Sequence, residues 1–188
     1  MAERVADGDD IFVYTGGRVP PNLSRTITHA RIDESVKEID VRAFFNCRRL
    51  RFVEIHEGVT KIGKQSFKRC PSLRRIKLPG VRIIDMEAFN NCTYLKEVEF
   101  GDELETIGKL AFADCTSLRR LTIHAVSTIE LCAFVSCAEL KFVELPEGLQ
   151  TIKGRAFADC RSLRRITSSS SSRYRRYPRT SSRFFIIR

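Results

Sequence analysis

No apolar run in this sequence approaches the roughly 18 consecutive residues of a bilayer-crossing helix, so no membrane span and no membrane partner are expected. The opening residues, MAERVADGDDIFVY, hold no basic stretch followed by seven or more apolar residues, and no secretory leader is expected either. Histidine is scarce, at three residues, and the C-x-x-C pairs of zinc sites do not occur. The nearest two cysteines, Cys132 and Cys137, lack two further ligands. Walker loops, dinucleotide fingerprints and G-x-S-x-G elbows are missing as well. These gaps leave no catalytic residue, no metal ligand and no cofactor to nominate.

What is present suits one globular unit: 188 residues, 43% apolar and 30% charged. Seven cysteines without a leader point to free thiols in a reducing compartment, cytoplasmic or nuclear. The net charge of +10 is unevenly spread, because residues 167–188 hold six arginines and no acid. The remaining chain is only mildly basic, so the pI speaks mainly for the tail.

Self-similarity decides the fold class. Phenylalanine recurs at Phe44, Phe67, Phe89, Phe112, Phe134 and Phe157, in steps of 23, 22, 23, 22 and 23. Five residues before each stands isoleucine (Ile39, Ile62, Ile84, Ile107, Ile129, Ile152), and three after it cysteine (Cys47, Cys70, Cys92, Cys115, Cys137, Cys160). Leucine follows at six, an aliphatic at nine and, in five of six repeats, an apolar residue at eleven. Segments such as LRFVEI, LKEVEF and LKFVEL alternate as short strands with two inward residues. One strand per turn of about 22 to 23 residues is a repeat coil, in which stacking buries a face that no single turn buries alone. The step alternates because six residues separate Leu78 from Ile84 and seven separate Ile55 from Ile62. The unit is therefore a 45-residue pair.

Residues 27–166 form the array: a degenerate rung, with Ile27, Ala30 and Ile32 in the strand positions, and six full repeats. Residues 1–26, with DIFVY, Gly16, Gly17 and the pair Pro20–Pro21, are expected to cap the open end. Residues 167–188 begin with a serine run and end in RYRRYPRTSSRFFIIR, a composition expected to be a basic, disordered tail. The last rung, ending at Ile166, would then present an open strand edge.

From Ala133 to Phe157 the chain carries the pattern A-F-x-x-C-x-x-L-x-x-V-x-L-P-x-G-L-x-x-I-x-x-x-A-F, which resembles the BspA-like (Treponema-type) leucine-rich repeats of bacteria and protists. The resemblance covers roughly residues 27–166. It implies an α/β repeat solenoid, a right-handed leucine-rich-repeat coil with a parallel sheet of about seven short strands. It further implies binding of other macromolecules and no enzymatic activity. Several relatives of this type are surface or secreted adhesins, whereas neither leader nor anchor is expected in this chain.

Six cysteines at one repeat position read as a core ladder, not as a nucleophile that a site needs once. Cys132 breaks the pattern and is the one candidate for a reactive surface thiol. His56 and His124 share a position just past the strand and read as solvated strand ends. The outward face of the sheet holds the candidates. One residue past each leucine stands a base, Arg51, Arg74, Lys96, Arg119, Lys141 and Arg164, a row that suits an acidic protein segment or a phosphate polymer, or is a solvated face. Glu54, Glu99 and Glu144, with Arg75, Arg120 and Arg165 nearby, are expected to form cross-strand ion pairs. Phe52 and Phe142 are outward aromatics among charges, the makeup of a protein-binding surface, and Phe52, Arg75, Glu97, Arg120 and Phe142 are the candidate contact residues for an unidentified protein partner. The tail admits three readings: nucleic-acid contact, a nuclear address in RYRRYPR, or unselected sequence. Phosphorylation of its serines would reverse its charge.

Overall fold

The computed structural model describes residues 11–168 and the backbone of residues 171–175. Two strands open the coil, β1 (Ile11–Tyr14) and β2 (His29–Ile32). Short and long strands then alternate: β3 (Glu38–Ile39), β4 (Phe52–Glu54), β5 (Lys61–Ile62), β6 (Arg75–Leu78), β7 (Ile83–Ile84) and β8 (Glu97–Phe100). The pattern continues with β9 (Thr106–Ile107), β10 (Arg120–Thr122), β11 (Thr128–Ile129), β12 (Phe142–Leu145), β13 (Thr151–Ile152) and β14 (Arg165–Ser168), and closes with β15 (Ser171–Arg175).

The result is a parallel-strand β-solenoid of about seven turns, each with two strand sides and one turn side. The long even-numbered strands, with β1, form the broad sheet face, and the isoleucine strands β3, β5, β7, β9, β11 and β13 form a continuous six-stranded ladder. No helix occurs among the described residues, so the helical layer in the α/β expectation is absent. Its place is taken by turns that run from each isoleucine to each cysteine.

Those turns have a backbone reason. Two residues per full repeat, two before and two after the core phenylalanine, hold positive φ near 60°: Arg42 and Asn46, Gln65 and Arg69, Glu87 and Asn91, and so on to Arg155 and Asp159. A helix cannot pass through left-handed residues, whose cost is roughly 1–2 kcal/mol each for non-glycine residues. Hydrogen bonds offset that cost. Alternate N–H groups reach the next rung, as in Phe44 N–H to Ser66 O at 2.7 Å and Phe67 N–H to Ala88 O at 2.8 Å. The intervening ones close local turns, as in Cys47 N–H to Phe44 O at 3.1 Å. Asn or Asp, which tolerate this conformation best, fill the second position in four of the six repeats.

Inside the coil the six phenylalanines stack in near-parallel succession, with ring centroids 5.0 Å apart for Phe44–Phe67 and 5.2 Å for Phe134–Phe157. Tyr14 closes the stack, 5.0 Å from the Phe44 ring, and Phe12 meets the same ring edge-on at 6.4 Å. β1 adds in parallel to β2, and Val19 N–H bonds Ala43 O at 2.8 Å. At the far end β15 pairs antiparallel with β14, so the strand edge expected to be open after Ile166 is covered by backbone from Ser171–Arg175. Residues 169–170 and 176–188, with most of the tail readings, lie outside the described residues. Glycine is required where rungs touch: a Cβ on Gly80 would lie 1.8 Å from Glu57 O, and one on Gly101 1.7 Å from Pro79 O.

Candidate functional site

Alternation in the long strands sends Val53, Ile76, Leu78 and their equivalents inward, Leu50 and its equivalents are buried just before each strand, and a regular outward face is left. Strand register aligns its residues into columns: His29 opposite Phe52, Arg75 opposite Glu97, and Arg120 opposite Phe142. Phe52, Arg75, Glu97, Arg120 and Phe142 therefore lie along one outward column. Phe52 is 44% exposed and Phe142 36% exposed. Each ring is held by a neighbour: His29 stacks on Phe52 at 5.0 Å and 15°, and the Arg120 guanidinium lies 5.7 Å from the Phe142 centroid. His29 is the residue that sequence inspection missed. Counting two residues on from Ile27 in the degenerate rung places it in the column of Phe52.

The charges pair differently from the expectation. Glu54 bonds Arg31 at 2.6 Å, Glu97 bonds Arg75 at 2.6 Å and Glu99 bonds Lys77 at 2.7 Å. Each pair joins residues of the same column one rung apart, so Glu99 is not the partner of Arg75, and Arg120 pairs with a ring. Lateral neighbours in a parallel sheet lie about 4.8 Å apart, closer than diagonal ones.

All six residues of the basic row are exposed. Arg119 bonds Glu139 at 3.0 Å, and no carboxylate among the described residues pairs with Arg51, Arg74, Lys96, Lys141 or Arg164. Their backbones align through Arg74 N–H to Arg51 O at 3.4 Å, Lys96 N–H to Arg74 O at 2.8 Å, Lys141 N–H to Arg119 O at 2.9 Å and Arg164 N–H to Lys141 O at 3.0 Å. Between Lys96 and Arg119 this succession breaks. There β8 and β10 run side by side without a ladder, and a groove of about 490 Å³ opens on the face.

The cysteine column is buried and chemically occupied. The Cys70, Cys92, Cys115, Cys137 and Cys160 thiols donate to the carbonyl oxygens of Phe44, Phe67, Phe89, Phe112 and Phe134 at 3.1 to 3.3 Å. Burial pushes the Cys47 and Cys92 thiols up to about 12 and raises Cys70 and Cys115 as well. The Cys137 thiol is raised too, first by the neighbouring Cys160 thiol and second by burial. Thiols held protonated are poor nucleophiles. Cys132 is half-buried and sits at one of the left-handed turn positions, φ 56°. Among the described residues no three His, Cys, Asp or Glu side chains are grouped to hold a metal.

The two strand-end histidines differ from each other. His124 is exposed and lines the groove. His56 is half-buried, accepting Gly58 N–H on Nδ1 at 3.1 Å with Nε2 3.1 Å from Asp33 O, so it is not the solvated strand end expected of it. Gly58 makes the room, since a Cβ there would come within 2.9 Å of the ring.

Six repeat copies in the chain match the BspA type leucine-rich repeat region, over residues 22–137 and 60–177. The chain belongs to that family. Its BspA-type coil is similar to a leucine-rich repeat protein from Eubacterium ventriosum, 29% identical with a TM-score of 0.70 over 81% of this chain and 45% of that one. It is also similar to one from Bacteroides ovatus, 28% identical with a TM-score of 0.67 over 72% and 36% of the two chains. The T. pallidum leucine-rich repeat protein, 24% identical with a TM-score of 0.60 over 89% and 78%, shares the fold. The chain spans less than half the length of the first two. A comparison with curated proteins finds no match. BspA-type leucine-rich repeats are generally protein-interaction scaffolds and generally not enzymes. No helix among the described residues is long and apolar enough to cross a membrane.

Proposed function

We propose that the chain is a non-enzymatic scaffold that docks a protein partner on its broad sheet face, with Phe52, Arg75, Glu97, Arg120 and Phe142 as the contact column. The observation that carries this reading is the pair of outward aromatics on a rigid sheet. Phe52 and Phe142 are exposed, yet each is pre-ordered by His29 or Arg120, so docking against them forfeits little side-chain entropy. Exposed aromatics and arginines are the residue types that most often anchor protein interfaces. Free thiols donating along a buried column support a reducing compartment, cytoplasmic or nuclear, as the place of action.

Affinity capture with the intact chain, compared by quantitative mass spectrometry with a variant carrying serine or alanine at all five positions, tests the assignment. Loss of the captured proteins is expected; undiminished capture by the variant sinks it. A second reading, nucleic-acid or polyanion binding through the basic row and the arginine-rich residues 167–188, draws on the five row cations without carboxylate partners among the described residues. It requires RNA or DNA affinity that falls steeply with salt and drops when residues 167–188 are removed.

A further inference from the structure

The break between β8 and β10 lies in the middle of both the basic row and the aromatic column. The groove there is lined by Lys96, Glu97, Glu99, Arg119, Arg120 and His124, among others. Its two carboxylates are already engaged from the β6 side, Glu97 by Arg75 at 2.6 Å and Glu99 by Lys77 at 2.7 Å. Arg119 is engaged by Glu139 at 3.0 Å. Lys96 and Arg120 remain as cations with no carboxylate partner among the described residues, one on each wall of the groove. Arg120 is only steadied by the Phe142 ring. The row continues on both sides through Arg51 and Arg74 and through Lys141 and Arg164, all exposed and none paired with a carboxylate among the described residues.

We propose that this groove receives the carboxylates of an extended acidic protein segment, which crosses the rungs along the basic row with Phe52 and Phe142 as apolar contacts beside it. The proposal rests on the sheet face being the docking surface. Cations on neighbouring rungs stand about 4.8 Å apart, while same-side residues of an extended peptide are about 6.8 Å apart. Flexible lysine and arginine side chains absorb that mismatch, so acids at alternate positions each reach a cation. A phosphate polymer fits less well. Glu54, Glu97, Glu99 and Glu144 stand on the outward positions beside the row and would face its sugars and bases, whereas short acidic side chains enter between them. The long-range attraction of such a row also steers an acidic segment toward the groove.

Fluorescence anisotropy on the full chain, with a fluorescein-labelled peptide of alternating glutamate and alanine and with an oligothymidylate of matched charge, tests the proposal. The peptide is expected to bind, more tightly than the oligonucleotide, and to weaken as salt rises. The double variant Lys96→Gln/Arg120→Gln is expected to weaken peptide binding by about tenfold or more, while Lys109→Gln, which removes a cation away from the groove, leaves it unchanged. Lys96→Arg keeps the charge and keeps the binding. All of these side chains are exposed, and thermal melts verify that the variants fold. Absent peptide binding at low salt, equal weakening by Lys109→Gln, or preference for the oligonucleotide each overturn the proposal. If the peptide fails while the five-residue variant still loses its captured proteins, the docking face stands and the acidic partner class falls. If both fail, the face itself is wrong.

Discussion

The Cys70 thiol donates to the Phe44 carbonyl oxygen at 3.1 Å, and that same oxygen accepts the backbone N–H of Cys47, also at 3.1 Å. One buried acceptor thus has both of its lone-pair directions used, one within the rung and one from the next. Cysteine suits the place because it combines a small apolar volume with a weak donor. Replacing Cys115 by alanine removes the bond to Phe89 O and leaves a small void, and is expected to cost about 1–2 kcal/mol. The same change at half-buried Cys132, outside the column, is expected to cost less than about 0.5 kcal/mol. Chemical denaturation of the two variants against the parent chain measures the difference.

The protonated thiols make the fold sensitive to alkali. An unfolded thiol ionises near 9, whereas Cys47 and Cys92 are pushed up to about 12 and Cys70, Cys115 and Cys137 are raised too. Because these folded pKa values lie above the unfolded ones, their contribution is fully present below pH 9 and is lost as pH rises toward 12. Each thiol withdraws up to about 1.4 kcal/mol per pH unit in that window. Tyr14, raised chiefly by burial, adds to the loss above pH 10. Denaturation midpoints are expected to be flat from pH 7 to 9 and to fall steeply beyond; a flat profile to pH 11 would count against the buried column.

Ser66 occupies a position that is alanine in the other five repeats, and its buried hydroxyl has no hydrogen-bond partner among the described residues. Ser66→Ala removes an unsatisfied polar atom without opening a void. A gain of about 1 kcal/mol is expected, read as a higher denaturation midpoint at unchanged slope.

At the other end, the Tyr14 hydroxyl oxygen lies 2.9 Å from Gly17 O and 3.1 Å from Asp40 Oδ2, and accepts Asp40 N–H at 3.2 Å. Gly17 N–H bonds the same carboxylate at 2.5 Å. Tyr14→Phe keeps the ring over Phe44 but orphans the Asp40 N–H, at an expected cost of about 1–2 kcal/mol. Hydrogen exchange distinguishes this lock from general weakening: faster exchange is expected at Gly17 and Asp40 before it reaches the central rungs.

Much of this molecule was legible in its letters. The 22- and 23-residue steps identify the repeating columns of inward phenylalanine, isoleucine, cysteine and leucine, because burial on a repeating coil demands an apolar residue at the same place in each turn. The outward status of Phe52 and Phe142 follows from strand alternation, while the basic row stands one residue before each strand, between the buried leucine and the first strand residue. The left-handed turn pairs that replace a helix had only a partial signal, Asn or Asp two residues past phenylalanine in four repeats. Their partners at Arg42, Gln65 or Glu87 bear no local mark, since inter-rung hydrogen bonds hold them there.

Which charges meet was also beyond reading. Arg75 joins Glu97, Glu99 joins Lys77 and Arg120 turns to Phe142, because outward side chains choose among neighbours one rung away in the stack, at distances set by register and twist. The opening between Lys96 and Arg119 is of the same kind: nothing in LKEVEF or LRRLTI distinguishes it from its neighbours. Periodicity is a local property and specifies which side of the coil a residue faces. The spacing of one rung from the next is a property of the assembled stack, and the proposed acidic-segment site depends on it.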